Sequence, residues 1–150
     1  MLATLVTPEL VFPDLPGFDT PSVLKALAQR VVERGYYRSV DDLYGKLLER
    51  EELGSTGIGS GVAVPHCKVS ALDGVVAAVG ITAKAIDFGA VDGQPVRLFF
   101  LVISPERQPA AHLQCLAAIS KWIQGNDPVN RLADLQEPAA IYAALTETQG

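Results

Sequence analysis

Val75-Val76-Ala77-Ala78-Val79-Gly80-Ile81-Thr82 and Val96-Arg97-Leu98-Phe99-Phe100-Leu101-Val102-Ile103 are nearly unbroken in apolar residues. A strand with one wet face alternates apolar with polar, whereas runs like these belong to strands covered on both faces, so helices are expected above and below them. Asp92-Gly93 marks a turn ahead of the second run. A shorter strand-like run, Val62-Ala63-Val64-Pro65, precedes both. The opening from Leu2 to Pro16 is ambiguous, with Leu10-Val11-Phe12 as a candidate edge strand.

Helical spacing surrounds these runs. Thr20 reads as an N-cap with Pro21 at the first helical position, and Leu24, Leu27, Ala28 and Val31 follow on one face until Gly35. A second helix starts at Ser39, with Asp42 three residues on as a variant capping box, and carries Leu43, Leu47 and Leu48 until Gly54. Arg50 falls in its last turn, where a cation suits the negative end of the helix dipole. Pro109 opens a third helix with Leu113, Leu116, Ala117 and Ile123 on one side and Cys115, Ile119 and Trp122 on a neighbouring one, a pattern that predicts a largely buried helix. Asp127-Pro128 and Glu137-Pro138 start two short helices, the second carrying Ile141, Tyr142 and Leu145. The expected fold is an α/β three-layer domain, a central mixed β-sheet flanked by helices on both faces. One domain is expected over residues 1–150, its core at about 20–145.

Composition bounds the function. The chain has 150 residues, 49% of them hydrophobic, enough for a core without disulfides or a structural metal. Its 12 basic and 17 acidic side chains leave a net charge of −5, and no block of Lys or Arg is present, which argues against nucleic acid as a partner. The longest apolar stretches are about half the ~18–20 residues needed to span a bilayer, and the N-terminus lacks a signal-peptide pattern, so no membrane insertion and a cytoplasmic location are expected. Two cysteines, Cys67 and Cys115, are expected to be free thiols.

Gly54-Ser55-Thr56-Gly57-Ile58-Gly59-Ser60-Gly61 holds four glycines and no charge, and is expected to be a loop. It has no G-K-[ST] ending, and Gly57-x-Gly59-x-Gly61 lies after a helix and before a strand, the reverse of a dinucleotide fingerprint. A tight helix-to-strand connection and a phosphate-facing loop both remain open. His66 follows Pro65 at the end of a short strand. His112 lies in the first turn of the Pro109 helix, where the dipole disfavours imidazolium and a neutral ring can donate a hydrogen bond to an anion. Each histidine taken alone reads first as a bystander of its element. A zinc site is disfavoured, because His66 and Cys67 as strand neighbours point to opposite sides.

Taken together, these residues make a resemblance. The run Leu48-Glu49-Arg50-Glu51, the block Gly54 to Val64-Pro65-His66, then Ile86-Asp87-Phe88, Asp92-Gly93-Gln94-Pro95-Val96, Leu98-Phe99-Phe100-Leu101, Pro105-Glu106 and His112-Leu113 with Leu116 resemble the enzyme IIA domain of the bacterial phosphotransferase system, type 2. This is the fructose/mannitol and nitrogen-regulatory family, and the likeness runs from about Thr20 to Leu145.

The resemblance implies a phosphotransferase that works as a phosphoryl carrier. His66, in the family's P-H motif, is the expected acceptor; His112 is expected to support it and Arg50 to stabilise the phosphoryl group. Free backbone N–H groups of Ser55, Thr56, Gly57, Gly59 and Gly61 are expected to face phosphoryl oxygens. No metal and no cofactor is required. The expected donor is the histidine-containing phosphocarrier protein, and the expected recipients are a IIB component or regulated target proteins. A chain without an attached IIB or membrane domain favours nitrogen-regulatory-like signalling, with fructose/mannitol-type transport to a IIB cysteine as the alternative. Where relatives commonly have Gly after P-H, this chain has Cys67, followed by the usual basic residue, Lys68. Altered access to His66 or an exposed redox-sensitive thiol are the two consequences expected of that departure.

Overall fold

A computed structural model describes residues 5–146. Leu2 to Thr4 of the opening segment lie outside the described residues. The element order is β1 (Val11–Phe12), α1 (Thr20–Glu33), α2 (Val40–Glu52), β2 (Gly57–Gly59), β3 (Val62–Ala63), β4 (His66–Val69), β5 (Val76–Ile86), β6 (Val96–Pro105), α3 (Pro109–Asn126), α4 (Pro128–Leu132) and α5 (Pro138–Ala144). One mixed sheet runs β1-β5-β6-β3-β2, and β4 also pairs with β6. β5 and β6 are antiparallel, while β1 lies parallel to β5, and β3 and β4 lie parallel to β6.

Both apolar runs are strands buried on two faces, as their composition demands. On β6, Phe99, Leu101 and Ile103 join α1 and α2 in one core, while Leu98, Phe100 and Val102 join α3, α4 and α5 in the other. β5 divides likewise, Val76 and Ala78 against Ala77 and Val79. This is the expected three-layer arrangement. No helix among the described residues is long and apolar enough to cross a membrane.

Several local expectations are corrected. The N-cap of α1 is Asp19, not Thr20: the Asp19 carboxylate accepts from Ser22 N–H at 2.9 Å, and Asp19 N–H donates to Ser22 Oγ at 3.1 Å, a complete capping box. Ser39 does cap α2, accepting from Asp42 N–H at 3.1 Å, but the Asp42 carboxylate turns away to the Tyr37 hydroxyl and to Lys46 Nζ at 3.6 Å. The glycine segment is not all loop. Gly57–Gly59 is a strand paired antiparallel with β3 through Ser60 and Gly61, whose φ angles of 59° and 77° give the doubly left-handed turn that suits a two-residue hairpin. A Cβ on Gly61 would also stand 2.8 Å from Val129 Cγ2. Nor is α3 buried all round: His112, Cys115, Ile119, Trp122 and Ile123 pack inward, but Leu113 and Ala117 face outward because only one side of α3 lies on the sheet.

Candidate functional site

His66 begins a strand rather than ending one. β3 and β4 follow one another along the same side of β6, with Val62 and Ala63 opposite Leu98 and Phe99, and His66 to Val69 opposite Val102 to Pro105. Val64-Pro65 interrupts the ladder. Val64 N–H donates instead to Thr56 O at 2.9 Å, and Pro65, which has no N–H, still accepts from Val102 N–H at 3.0 Å. Because strand side chains alternate, His66 and Lys68 share one face, and Cys67 and Val69 sink into the α1/α2 core on the other.

At this edge of the sheet a cavity of about 540 Å³ opens between α2 and α3. Lys46, Glu49, Arg50 and Leu53 line it from α2 and its C-cap, and His112, Leu113 and Leu116 from α3; His66, Cys67, Lys68 and Glu106 supply the rest. Three cations and two carboxylates therefore surround His66 in a chain of net charge −5.

The two imidazoles are fixed by different partners. His66 Nδ1 lies 2.8 Å from Val64 O, and since a carbonyl only accepts, the proton is on Nδ1 and the lone pair on Nε2. His112 Nδ1 lies 2.6 Å from Ser104 Oγ in a buried contact. The ring centroids stand 5.4 Å apart with the planes tilted by 54°. Arg50, half-buried, donates from Nη1 to Gly54 O at 2.9 Å, which holds it at the end of α2.

Both rings are kept neutral. Burial lowers the pKa of His66 below its ordinary value; the Val64 hydrogen bond and Glu51 oppose this, while Arg50 and Lys68 add to it. His112 is brought down to about 4, by burial first and then by His66 and Lys68. Cys67 is corrected to a buried thiol pushed up to about 12 by desolvation, so the exposed redox-sensitive group expected at this position is absent. Cys115, also free, rises to about 11 for the same reason.

The structure thus brings His66, His112 and Arg50 to one cavity and leaves the glycine segment outside it. Thr56 N–H donates to Glu51 Oε2 at 2.7 Å, Gly57 N–H to Ser55 Oγ at 3.0 Å and Ser60 N–H to Asp92 Oδ2 at 3.1 Å. The amides of Thr56 and Gly57 are therefore not free to face a phosphoryl group, against the expectation for those two residues. Ser55 donates its hydroxyl to Phe88 O at 2.6 Å, and Gly59 lines a separate cleft with Ser120 and Asp127. Gly61 serves the hairpin turn. The segment acts from behind, since Thr56 O is what holds Val64.

Sequence reasoning missed Ser104, Lys46 and Leu53, and gave Glu51 no role. Ser104 carried a legible signal, being the one polar side chain in Leu98 to Pro105.

Comparisons with known proteins show the family. The profile of the family described as "Phosphoenolpyruvate-dependent sugar phosphotransferase system, EIIA 2" matches residues 4–148. A nitrogen regulatory protein of Bradyrhizobium diazoefficiens is 35% identical over 144 residues, 96% of this chain and 94% of that protein. The fructose-specific EIIA component of Haloferax volcanii is 29% identical over 146 residues, 97% and 95% of the two chains. Among solved structures, nitrogen regulatory protein IIA-Ntr from Neisseria meningitidis superposes with a TM-score of 0.86 at 26% identity, covering 96% of this chain and 98% of that one. Enzyme IIA-mannitol of Escherichia coli, in its complex with phosphorylated enzyme IIB-mannitol, shares the fold with a TM-score of 0.77 at 18% identity, over 94% and 96% of the chains. The chain belongs to the EIIA 2 family of the phosphoenolpyruvate-dependent sugar phosphotransferase system.

Proposed function

We propose that this protein is a phosphoryl carrier that accepts phosphate on His66 Nε2 from the phosphohistidine of a histidine-containing phosphocarrier protein. The observation that carries the reading is the hydrogen bond from His66 Nδ1 to Val64 O, which leaves Nε2 unprotonated on a ring lining a cation-bordered cavity. In the step, the Nε2 lone pair forms the new N–P bond while the donor's N–P bond breaks and its electron pair returns to the donor ring. Nδ1 keeps its proton, shared with Val64 O, which stabilises the positive charge the ring acquires. Arg50 and Lys68 offset the charge of the phosphoryl oxygens, and His112, a ring centroid 5.4 Å away, is close enough to donate to one of them. Incubation with phosphorylated phosphocarrier protein should place one acid-labile, base-stable phosphate on the chain. Persistence of that label in His66→Ala would overturn the assignment.

We assign the carrier to cytoplasmic regulation of the nitrogen-related kind, in which partners read whether His66 is phosphorylated. Support comes from the 35% identity to a nitrogen regulatory protein over nearly the full length of both chains. Transport is the second reading, favoured by the fructose-specific relative and by the IIA-mannitol complex with phosphorylated IIB-mannitol. A transfer assay with candidate IIB proteins, run beside a pull-down of both phosphorylation states, separates the two. Rapid onward transfer to a sugar-specific IIB with no state-dependent partner decides for transport.

A further inference from the structure

Ser104 lies on β6 opposite Lys68 and is fully buried, and His112 is nearly so. Among the described residues, the only side-chain hydrogen bond of either is the 2.6 Å contact between Ser104 Oγ and His112 Nδ1. A hydroxyl has one proton and two lone pairs, and a neutral imidazole has one donor and one acceptor nitrogen. If Nδ1–H donated to Oγ, the serine proton would be stranded in the core without an acceptor, which costs more than an idle lone pair. The arrangement that gives the serine proton an acceptor has Ser104 Oγ–H donating to Nδ1, which puts the His112 proton on Nε2 of a ring that lines the cavity.

We infer that Ser104 is a positioning residue for phosphoryl transfer, holding His112 in the Nε2–H tautomer so that it presents a donor to the phosphoryl group on His66. The inference deepens the carrier reading and rests on it. The two histidines then carry complementary tautomers: Val64 O fixes the proton of His66 on Nδ1 and frees Nε2 to attack, while Ser104 fixes the proton of His112 on Nε2. In the other tautomer His112 would turn a lone pair toward anionic oxygens and repel them. Burial first, with His66 and Lys68 beside the ring, keeps His112 uncharged, so tautomer and not protonation decides what it offers.

The test combines imidazole nitrogen NMR with transfer kinetics on the intact chain. In the unphosphorylated wild type, His112 should show a protonated Nε2 and an unprotonated Nδ1. Ser104→Ala should give mixed tautomers at His112 and slow phosphoryl acceptance about tenfold, the effect of one lost hydrogen bond, with His66 still fully labelled at long times. Ser104→Thr, which keeps the hydroxyl, should restore both tautomer and rate. A wild-type His112 protonated on Nδ1 overturns the inference whether or not the variants fold. So does Ser104→Ala with unchanged acceptance kinetics. Absence of label on His66 in the wild type would instead defeat the carrier reading, so the two failures are distinguishable.

Discussion

Glu51 grips Thr56 with both carboxylate oxygens, Oε2 accepting from the Thr56 N–H and Oε1 from its hydroxyl, each at 2.7 Å. From there a chain of hydrogen bonds reaches the ring of His66: Thr56 O takes Val64 N–H at 2.9 Å, and Val64 O takes His66 Nδ1–H at 2.8 Å. The last turn of α2 thereby fixes the ring of His66 without touching it. Glu51→Ala strands two polar groups of the buried Thr56, so a stability loss of about 1–3 kcal/mol is expected, together with slower phosphoryl acceptance per folded molecule. Glu51→Gln keeps one acceptor for the amide and should lose less of both. Urea unfolding beside single-turnover transfer checks this, and equal effects of Ala and Gln would break the relay argument.

Arg50 stands one residue earlier and divides its guanidinium between two tasks, since Nη1 holds Gly54 O at 2.9 Å while the side chain lines the cavity. Arg50→Lys preserves charge but loses the planar fork, so one nitrogen must choose between backbone and phosphate. The expected outcome is a melting temperature within a few degrees of wild type and acceptance slowed about tenfold, the cost of one charge-assisted hydrogen bond. A badly destabilised variant with unaltered transfer per folded molecule would make Arg50 a helix-end residue only.

Acid should act on the fold through His112. Its pKa falls from the ordinary 6.5 to about 4 in the folded chain, so between those values the unfolded chain binds a proton that the folded chain refuses. The contribution is therefore fully present above about pH 6.5 and is lost progressively as pH falls toward 4. Urea midpoints measured from neutral to acid pH should show this falling limb, and His112→Gln should flatten it. Because burial also lowers His66, acceptance should persist to lower pH than an unperturbed imidazole would allow.

How much of this was readable in advance follows from which signals are local. Two-sided burial was written into the unbroken apolar runs around Val79 and Phe100, because composition alone reports whether a strand has a wet face. The family motif carried His66, Arg50 and His112, and the structure places all three on one cavity. The behaviour of the glycine segment was not readable, since whether an amide is free depends on carboxylates such as Asp92, which lies 32 residues from Ser60. Asp19 displaced Thr20 as a cap for a similar reason: both types serve, and only the reciprocal bond with Ser22 decides. Ser104 stood out as the one polar side chain in Leu98 to Pro105, but its partner did not, because His112 lies eight residues away across the turn between β6 and α3.

Leu53 and Leu113 flank the cavity from opposite helices and are 81% and 65% exposed, unusual for leucines beside a polar site. Neither supports a core, so their exposure costs the free protein apolar hydration without a structural return. A phosphocarrier that must bring its own phosphohistidine to His66 has to cover this rim, and covering one leucine is worth roughly 1.5 kcal/mol or more. Leu113→Asp and Leu53→Asp are therefore expected to raise the donor concentration needed for half-maximal transfer about tenfold each, with the rate at saturating donor and the thermal midpoint near wild type. Steady-state transfer at varied phosphocarrier concentration checks this directly. A lowered saturating rate with unchanged concentration dependence would move these leucines from docking to the chemistry of the cavity.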